Sequence, residues 1–302
     1  METRYARKVS CIMAAPSLPE VNMAYSTVTY EPGRIARLIL DRPDTLNAQS
    51  RLMLKEIDLA LDEAARDGDV RVVVVSGAGP HFSAGHDVRE MADPELPPET
   101  AGQRYQRMKQ AYIEDHLRWR NLAKPTIAMV HGYCIWGGWM VASAMDLVFA
   151  SDDAQFLAYP SPADFWALPW DMPPKKAKEI LFEHRVLSAG EALSVGFVNR
   201  VYSRDQLEAQ TMAYAERVAD NDPAMVLSAK YAINDSLDQM GYSASVTNAF
   251  HIGSAFGFAR TANEPHKAYA SFASAQENPH ANRVRTAFER FRQDQKADKQ
   301  QD

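Results

Sequence analysis

Cysteine is scarce in this sequence, and long apolar stretches are missing from it. The two cysteines, Cys11 and Cys134, are far apart and too few for a disulfide framework. A reducing compartment is the simplest expectation, and we predict a cytoplasmic protein. No run of about 18 uncharged apolar residues occurs, so we expect no membrane span. Residues 1–22 also lack the apolar core of a secretory signal.

The sequence has no excess of basic residues either. Lys and Arg number 33 against 39 Asp and Glu, which gives a formal net charge of −6. Because no dense Lys/Arg patch precedes the charged C-terminal tail, the composition argues against nucleic acid as a partner. The eight histidines show no His-x-x-x-His spacing, and the sequence therefore implies no metal site.

The hydrophobic pattern predicts alternating strands and helices in the first part of the chain. Residues 26–40 indicate two strands around a Pro-Gly turn, and a segment with helical spacing of apolar residues ends at Asp67-Gly68. Residues 70–77 (VRVVVVSG) form a continuous β-branched run, which is typical of a parallel strand covered on both faces. Two more such strands are predicted at 125–130 and 147–151. The expected fold class is therefore α/β.

The later segments predict a change of organisation. Residues 101–123 predict a polar helix, whereas residues 157–174 contain five prolines and predict a long irregular loop. From Lys175 the pattern is helical nearly to the end, with a short return near residues 195–203. We divide the chain into a flexible N-terminal tail (1–25), an α/β core (26–205) and a helical C-terminal region (206–302).

Glycines stand at two predicted strand-to-helix junctions. Gly85 follows one buried strand, and the pair Gly137-Gly138 follows another. Glycine at such a place lets the backbone approach a ligand, and the free N–H groups of a helix start favour negative charge. Because both loops follow strands of one parallel sheet, they are expected at the same edge. Two converging N–H groups would form an oxyanion hole suited to thioester chemistry.

Four segments carry more specific motifs. They are LDRPDTLNAQS, HFSAGHDVREM, KPTIAMVHGYCIWGGWMVASAMDLVFASDDAQF and LSAGEALSVGFVNRVYS, which begin at residues 40, 81, 124 and 187. Together they resemble the crotonase (enoyl-CoA hydratase/isomerase) superfamily from about residue 26 to about residue 275. The resemblance implies a crotonase-like (ββα) superhelical core with a helical C-terminal trimerisation region. It also implies a homotrimer or homohexamer that acts on acyl-CoA, with no cofactor beyond the coenzyme A of the thioester.

The resemblance assigns roles to individual positions. The oxyanion-hole donors would be the backbone N–H groups of His86 and Gly137. Trp136 replaces the first glycine of the family's Gly-Gly-Gly run, which adds bulk beside the hole. The residues implied to contact coenzyme A are Leu46, Asn47, Ala48, Ala84 and Arg89.

The resemblance breaks at the family's two catalytic glutamates. Met140 occupies the first of these positions, and Pro160 or Ser161 lies near the second. Four other groups are candidates for the chemistry: Asp164, Asp171, His116 and the side chain of His86. Each has an ordinary alternative, since a loop aspartate can face solvent or cap a helix and a histidine can belong to the core or the surface.

Large aromatic side chains predict a wide apolar acyl pocket. The set is Trp136, Trp139, Tyr159, Phe165, Trp166 and Trp170. Trp136, Met140, Tyr159 and Trp166 are the members of this region that we expect to contact substrate. The alternative is that about half of the aromatic set packs in the core or in a subunit interface.

Three functions remain open on the sequence. The first is an enoyl-CoA hydratase/isomerase-like enzyme, and the second is a crotonase-type hydrolase or ring- or C–C-cleaving enzyme on a bulky or cyclic acyl-CoA. The third is a non-catalytic acyl-CoA-binding protein. Loss of both glutamates counts against simple hydration, and Asp164 in the shortened aromatic loop favours the second function.

Overall fold

A computed structural model describes residues 25–91, 97, 99–158, 165–263 and 279–298. The predicted tail up to residue 24 lies outside the described residues, as do the site candidates Tyr159 and Asp164. Among the helices of these ranges, none is long and apolar enough to cross a bilayer.

A six-stranded sheet forms the centre of the protein, in the order β1-β2-β3-β4-β6-β9. The β1–β2 pair is the hairpin predicted around the Pro-Gly turn and is antiparallel, whereas the other neighbours pair in parallel. The prediction of an α/β fold is confirmed. The strands of this sheet are β1 (Val28–Glu31), β2 (Ile35–Leu40), β3 (Val72–Gly77), β4 (Thr126–Val130), β6 (Leu147–Ser151) and β9 (Arg200–Tyr202).

The sheet is covered on both faces, as the β-branched run of β3 predicts. Val73 and Val75 face helix α1 (Arg51–Arg66), whose apolar side packs in the main core. Val72 and Val74 face the other side, where helix α9 (Leu207–Ala219) packs against them. A strand with water on neither face needs apolar residues at every position, since successive side chains point to opposite faces.

A second, three-stranded sheet lies beside the first, in the order β5-β7-β8. Strand β5 (Tyr133–Ile135) follows β4 closely, pairs in parallel with β7 (Gln155–Leu157), and β7 pairs antiparallel with β8 (Leu187–Ser188). The last described helix, α12 (Pro279–Asp298), packs Phe288 and neighbouring apolar side chains against this sheet.

Two helical segments differ from the sequence-based prediction. The helix predicted over 101–123 ends at Arg120 and contains a π-helical turn (Gln110–Glu114). The proline-rich segment is not entirely irregular, since it contains helix α6 (Leu168–Asp171); Pro169 is tolerated in its first turn, where a missing N–H loses no helical bond. The other helices are α2 (Val88–Met91), α3 (Ala101–Lys109), α4 (Asp115–Arg120), α5 (Gly137–Ser143), α7 (Pro174–Glu183), α8 (Ala189–Ser194), α10 (Pro223–Gln239) and α11 (Tyr242–Asn263).

Candidate active site

The two glycine-bearing loops meet at one edge of the sheets. Ser83 pairs with β5 through two backbone hydrogen bonds, from its N–H to the Tyr133 carbonyl (2.9 Å) and from the Ile135 N–H to its own carbonyl (3.0 Å). This pairing carries Gly85 past the end of β5. A Cβ on Gly85 would lie 2.8 Å from the Ile135 carbonyl oxygen and 3.1 Å from the Gly137 nitrogen, so only glycine fits there.

Backbone pairing also sets the direction of the His86 N–H. The Gln49 N–H donates to the Gly85 carbonyl (2.7 Å), and the Asp87 N–H donates to the Gln49 carbonyl (2.9 Å). In a trans peptide the C=O and N–H point in opposite directions. The His86 N–H therefore points away from the Gln49 backbone.

Gly137 begins helix α5, and its N–H belongs to the first turn, where no intrahelical acceptor exists. The preceding residue, Trp136, has φ 47° and ψ −103°. A bulky residue with positive φ is strained by roughly 1–3 kcal/mol, and such strain is concentrated at functional sites. Within the described part of the chain, neither the His86 nor the Gly137 N–H has a hydrogen-bond acceptor.

The imidazole of His86 is held between Gly137 and an aromatic ring. It stacks on Tyr112 with ring centroids 4.4 Å apart and meets Trp136 edge-on at 4.9 Å. The ring is buried, and burial lowers the pKa of His86 to about 3, so it is neutral. Neither ring nitrogen has a hydrogen-bond partner among the described residues.

His116 lies nearby, immediately after the π-helical turn and completely buried. Its Nδ1 is 3.0 Å from the carbonyl oxygen of Ala111, and a carbonyl only accepts. Nδ1 therefore carries the proton, and Nε2 is a bare acceptor without a partner in the described ranges. Burial, with a smaller contribution from neighbouring His86, lowers the pKa of His116 to about 3.

Gln49 is a site residue that sequence reasoning missed. Its side chain is 3% exposed, and neither Oε1 nor Nε2 has a partner among the described residues. A Cβ on Gly137 would overlap Gln49 Oε1, so the carboxamide lies against the backbone of Gly137. The available signal was its place directly after the Leu-Asn-Ala motif. Its pairing with residues 85–87 is a tertiary contact that the sequence does not reveal.

The Leu46–Ala48 segment lies beside the first glycine loop. Leu46 and Asn47 both have positive φ, and the Leu46 carbonyl accepts from the Ala84 N–H at 2.9 Å. The Asn47 side chain is buried and has a structural task. It accepts from the Arg42 N–H (2.9 Å) and donates to the carbonyls of Ala78 (2.9 Å) and His81 (2.8 Å). Its backbone is engaged as well, since the Asn47 N–H donates to the Arg42 carbonyl (2.9 Å) and the Asn47 carbonyl accepts from the Ser83 hydroxyl (2.8 Å).

The other implied contacts differ in accessibility. Arg89 is exposed on α2, Trp166 is half-buried, and Met140 is buried at 3% exposure within α5. In the predicted aromatic lining, Trp139 stacks on Phe197 at 4.4 Å and Phe165 is also buried, so these two belong to the core. This matches the expectation that part of the aromatic set packs internally.

Asp171 is the last residue of α6, and its side chain contacts Ser143 at the end of α5. Its carboxylate accepts a 2.6 Å hydrogen bond from Ser143, and the Trp139 indole N–H is close by but outside good hydrogen-bond geometry. Burial raises the pKa of Asp171 to about 7, although these two donors oppose the rise. The alternative of a cap for the next helix is wrong, because Pro173 holds that position in α7.

A cavity of about 310 Å³ opens between α1 and the helical segment 107–118 and reaches Gln49, His86 and Tyr112. Charges of both signs surround it, so its mouth has no single electrostatic preference. The charged residues of its wall include Arg51, Lys55, Asp58, Arg107, Asp115 and Arg118.

Comparison with known proteins identifies the family of the chain. A family model described as enoyl-CoA hydratase/isomerase matches residues 31–269. The chain belongs to the enoyl-CoA hydratase/isomerase family. It is therefore an enzyme of the crotonase superfamily, as the sequence motifs implied.

Individual relatives of the family agree in extent and fold. The chain is 37% identical over 246 residues to EchA13 of Mycobacterium tuberculosis, covering 74% of this chain and 77% of that protein. A probable enoyl-CoA hydratase from Mycobacterium thermoresistibile shares 38% identity and a TM-score of 0.74, over 79% of this chain and 97% of the other. An enoyl-CoA hydratase/isomerase from Xanthobacter autotrophicus Py2 shares 30% identity and a TM-score of 0.72, over 84% and 99%.

Proposed function

We propose that the protein is an enoyl-CoA hydratase/isomerase-like enzyme that binds the carbonyl oxygen of a coenzyme A thioester with the N–H groups of His86 and Gly137. The observation that carries this proposal is the contact between the Gly85–His86 and Trp136–Gly137 backbones, with both N–H groups free of protein acceptors among the described residues. Coenzyme A enters as part of the substrate. We assign its backbone contacts to the carbonyl groups of residues 46–48 and Ala84, whose N–H groups already donate within the protein, with Arg89 toward its nucleotide end.

Two N–H donors at the thioester oxygen make enolate formation easier. When a nucleophile adds to the β-carbon, the electron pair of the C=C bond moves toward the carbonyl and negative charge grows on that oxygen. Preorganised donors stabilise this charge, and removal of one such donor costs roughly 3–4 kcal/mol of barrier. Protonation of the α-carbon then completes the addition.

Proton transfer requires a group other than the family's two glutamates. Among the described candidates, we propose Asp171, because a pKa of about 7 suits exchange of a proton at neutral pH. His86 and His116 remain neutral and serve as hydrogen-bonding groups. Asp164, which lies outside the described residues, is the alternative proton carrier.

One observation favours a second candidate function. Met140, a buried thioether on α5, occupies the position of the first family glutamate. We propose as the alternative a crotonase-type hydrolase, or a ring- or C–C-cleaving enzyme on a bulky or cyclic acyl-CoA, which would use another group for its chemistry. Both functions use the same pair of N–H groups.

The decisive experiment is a mass-spectrometric screen of the purified protein against short, long and ring-bearing enoyl- and β-keto-acyl-CoAs. Gain of one water with the thioester intact supports the first function. Release of free coenzyme A, or of acyl fragments, supports the second. Binding without turnover of any substrate would contradict both and indicate a non-catalytic acyl-CoA-binding protein.

We also propose that the protein is a homotrimer or homohexamer. The surface of α10, α11 and the turn between them carries large apolar side chains that a monomer leaves in water, and an interface would cover them. The exposed residues that support this are Met225, Ile233, Met240, Ile252 and Phe256.

A further inference from the structure

Three neutral polar side chains are enclosed in and next to the candidate site without protein partners in the described part of the chain. Gln49 and His86 lie against Gly137, and His116 lies near His86. Gln49 has both amide heteroatoms unpaired, His86 both ring nitrogens, and His116 its Nε2. All three side chains are at most 5% exposed. The native structures of proteins pair most buried polar groups, so a cluster of unpaired ones indicates a missing hydrogen-bonding partner.

The described residues around the cluster do not supply that partner. Aromatic rings enclose it: Tyr112 stacks on His86, while Trp119 and Phe165 lie against His116 with ring centroids 4.3 and 5.3 Å away. An acyl chain made of carbon alone would leave these polar atoms unpaired as well, at a cost in binding. A small polar group that enters from outside the protein would supply the missing partner.

The hydrogen-bond donors and acceptors of the three side chains indicate which polar group would fit between them. His116 Nε2 can only accept, because its Nδ1 proton is held by the Ala111 carbonyl. Gln49 offers both a donor and an acceptor, and neutral His86 offers one of each. A hydroxyl group, with one donor and two acceptor sites, matches this set. A carboxylate would lack the proton that His116 accepts.

Two residues of the cluster lie next to the proposed binding site of the thioester oxygen. The Gln49 carboxamide and the His86 ring both lie against Gly137, the residue whose N–H is proposed to bind the thioester oxygen. The same two residues also line the cavity between α1 and the helical segment 107–118. A group bound here is adjacent to the first carbons of the acyl chain.

We propose that Gln49, His86 and His116 bind a hydroxyl group next to the thioester carbonyl. This inference rests on the proposed function and deepens it. The hydroxyl belongs either to the water that adds to the substrate or to a hydroxyl substituent on the first carbons of the acyl chain. In both cases the hydroxyl donates to His116 Nε2 and accepts from the Gln49 amide.

The test compares butyryl-CoA with its 2-, 3- and 4-hydroxy derivatives by calorimetry, and follows water addition to crotonyl-CoA. The variants are Gln49→Leu, which keeps the size but removes the polar atoms, and His116→Asn, which keeps a donor for Ala111. Gln210→Leu, an exposed change on α9, is the matched control. His116→Asn also keeps the test open if Gln49→Leu fails to fold.

A hydroxyl on the acyl chain predicts that the wild-type protein binds one hydroxybutyryl-CoA at least about tenfold more tightly than butyryl-CoA. That preference falls to about twofold in Gln49→Leu. A bound water predicts instead no such preference, with a roughly 100-fold lower kcat for water addition in both variants and little change in KM.

The inference is overturned if neither variant changes the preference or the rate more than Gln210→Leu does. If the wild-type protein binds none of these thioesters, the proposed function fails rather than the assignment of these side chains. Equal binding of all four thioesters, with unchanged water addition in the variants, leaves the proposed function intact and rejects only the hydroxyl site.

Discussion

The α-carbon of Gly137 faces the imidazole ring of His86. A Cβ at this position would lie 2.9 Å from both Nδ1 and Cε1 of that ring and would overlap the carboxamide oxygen of Gln49. Gly137 begins α5 with its N–H, as other residues could, but only glycine leaves room there for two polar groups.

We expect Gly137→Ala to reduce turnover by about 100-fold or more and to lower the melting temperature. The added methyl must displace His86 or Gln49, and either movement misplaces the N–H donors. Gly190→Ala in α8 is the control, because a Cβ there meets no atom within 4 Å. Steady-state kinetics and thermal unfolding of both variants check this, and wild-type turnover in Gly137→Ala would contradict the assignment.

Asn47→Ala is expected to destabilise the protein by about 3 kcal/mol. The change leaves the Arg42 N–H and two carbonyls without partners and puts alanine into a left-handed conformation. Asn221→Ala, which removes an exposed hydrogen bond to the Arg217 carbonyl, should cost about 0.5 kcal/mol or less. Urea unfolding of the two variants measures the contrast, and equal losses would argue against the structural role of Asn47.

The two buried histidines should make the protein acid-sensitive. The pKa of each imidazole is lowered by burial from 6.5 to about 3, so between these values the unfolded chain binds protons that the folded chain does not. The free energy of unfolding therefore falls as pH falls through this window. In His116→Asn that loss between about pH 6.5 and about pH 5 should be smaller by about 2 kcal/mol. Parallel urea titrations would reveal it, and identical slopes would count against a neutral buried His116.

Asp171 should have the opposite pH dependence. Burial raises its pKa from 3.8 to about 7, so the folded chain keeps a proton that the unfolded chain has lost. The free energy of unfolding therefore falls as pH rises through this interval, by about 1.4 kcal/mol for each unit of pH at most. Asp171→Asn removes this fall. If Asp171 transfers the proton, the variant also loses turnover and the pH step near 7 in kcat.

Ser143→Ala provides a finer test of the same carboxylate. The Ser143 hydroxyl donates to Asp171 and opposes the rise of its pKa. Its removal should move the pH step in kcat to higher pH while turnover persists. A step that does not move would assign it to another group, with Asp164 as the next variant to examine.

The proposed assembly can be tested at Ile233, which is 62% exposed on α10. Ile233→Lys places a charge in the proposed interface and is expected to shift the protein toward monomer, because burying an unpaired charge is costly. Gln210→Lys on α9 should leave the assembly unchanged. Light scattering after gel filtration separates the outcomes, and a monomeric wild-type protein would contradict the assembly itself.

The strands and most helices were predictable because their causes are local. The unbroken β-branched residues of β3 require apolar cover on both faces, and that cover is found. The Leu-Asn-Ala, Ala-Gly-His and Trp-Gly-Gly motifs predicted where backbone groups would be presented. The π-helical turn before His116 and the short helix within the proline-rich segment were not predictable, because they depend on packing rather than on periodicity.

Some features of the candidate site were likewise predictable from the sequence, and others depend on the tertiary structure. Sequence alone identified the family and the two glycine loops, and the resemblance to the family implied an acid at the position of Met140. Only the tertiary structure placed Gln49 beside His86, gave Asn47 a structural task and left His116 with a bare Nε2. It also decided that Asp171 is enclosed enough for its pKa to rise while the two histidines stay neutral. Local patterns determine which residues form a strand or helix, whereas burial and hydrogen bonding depend on segments that meet only when the whole chain has folded.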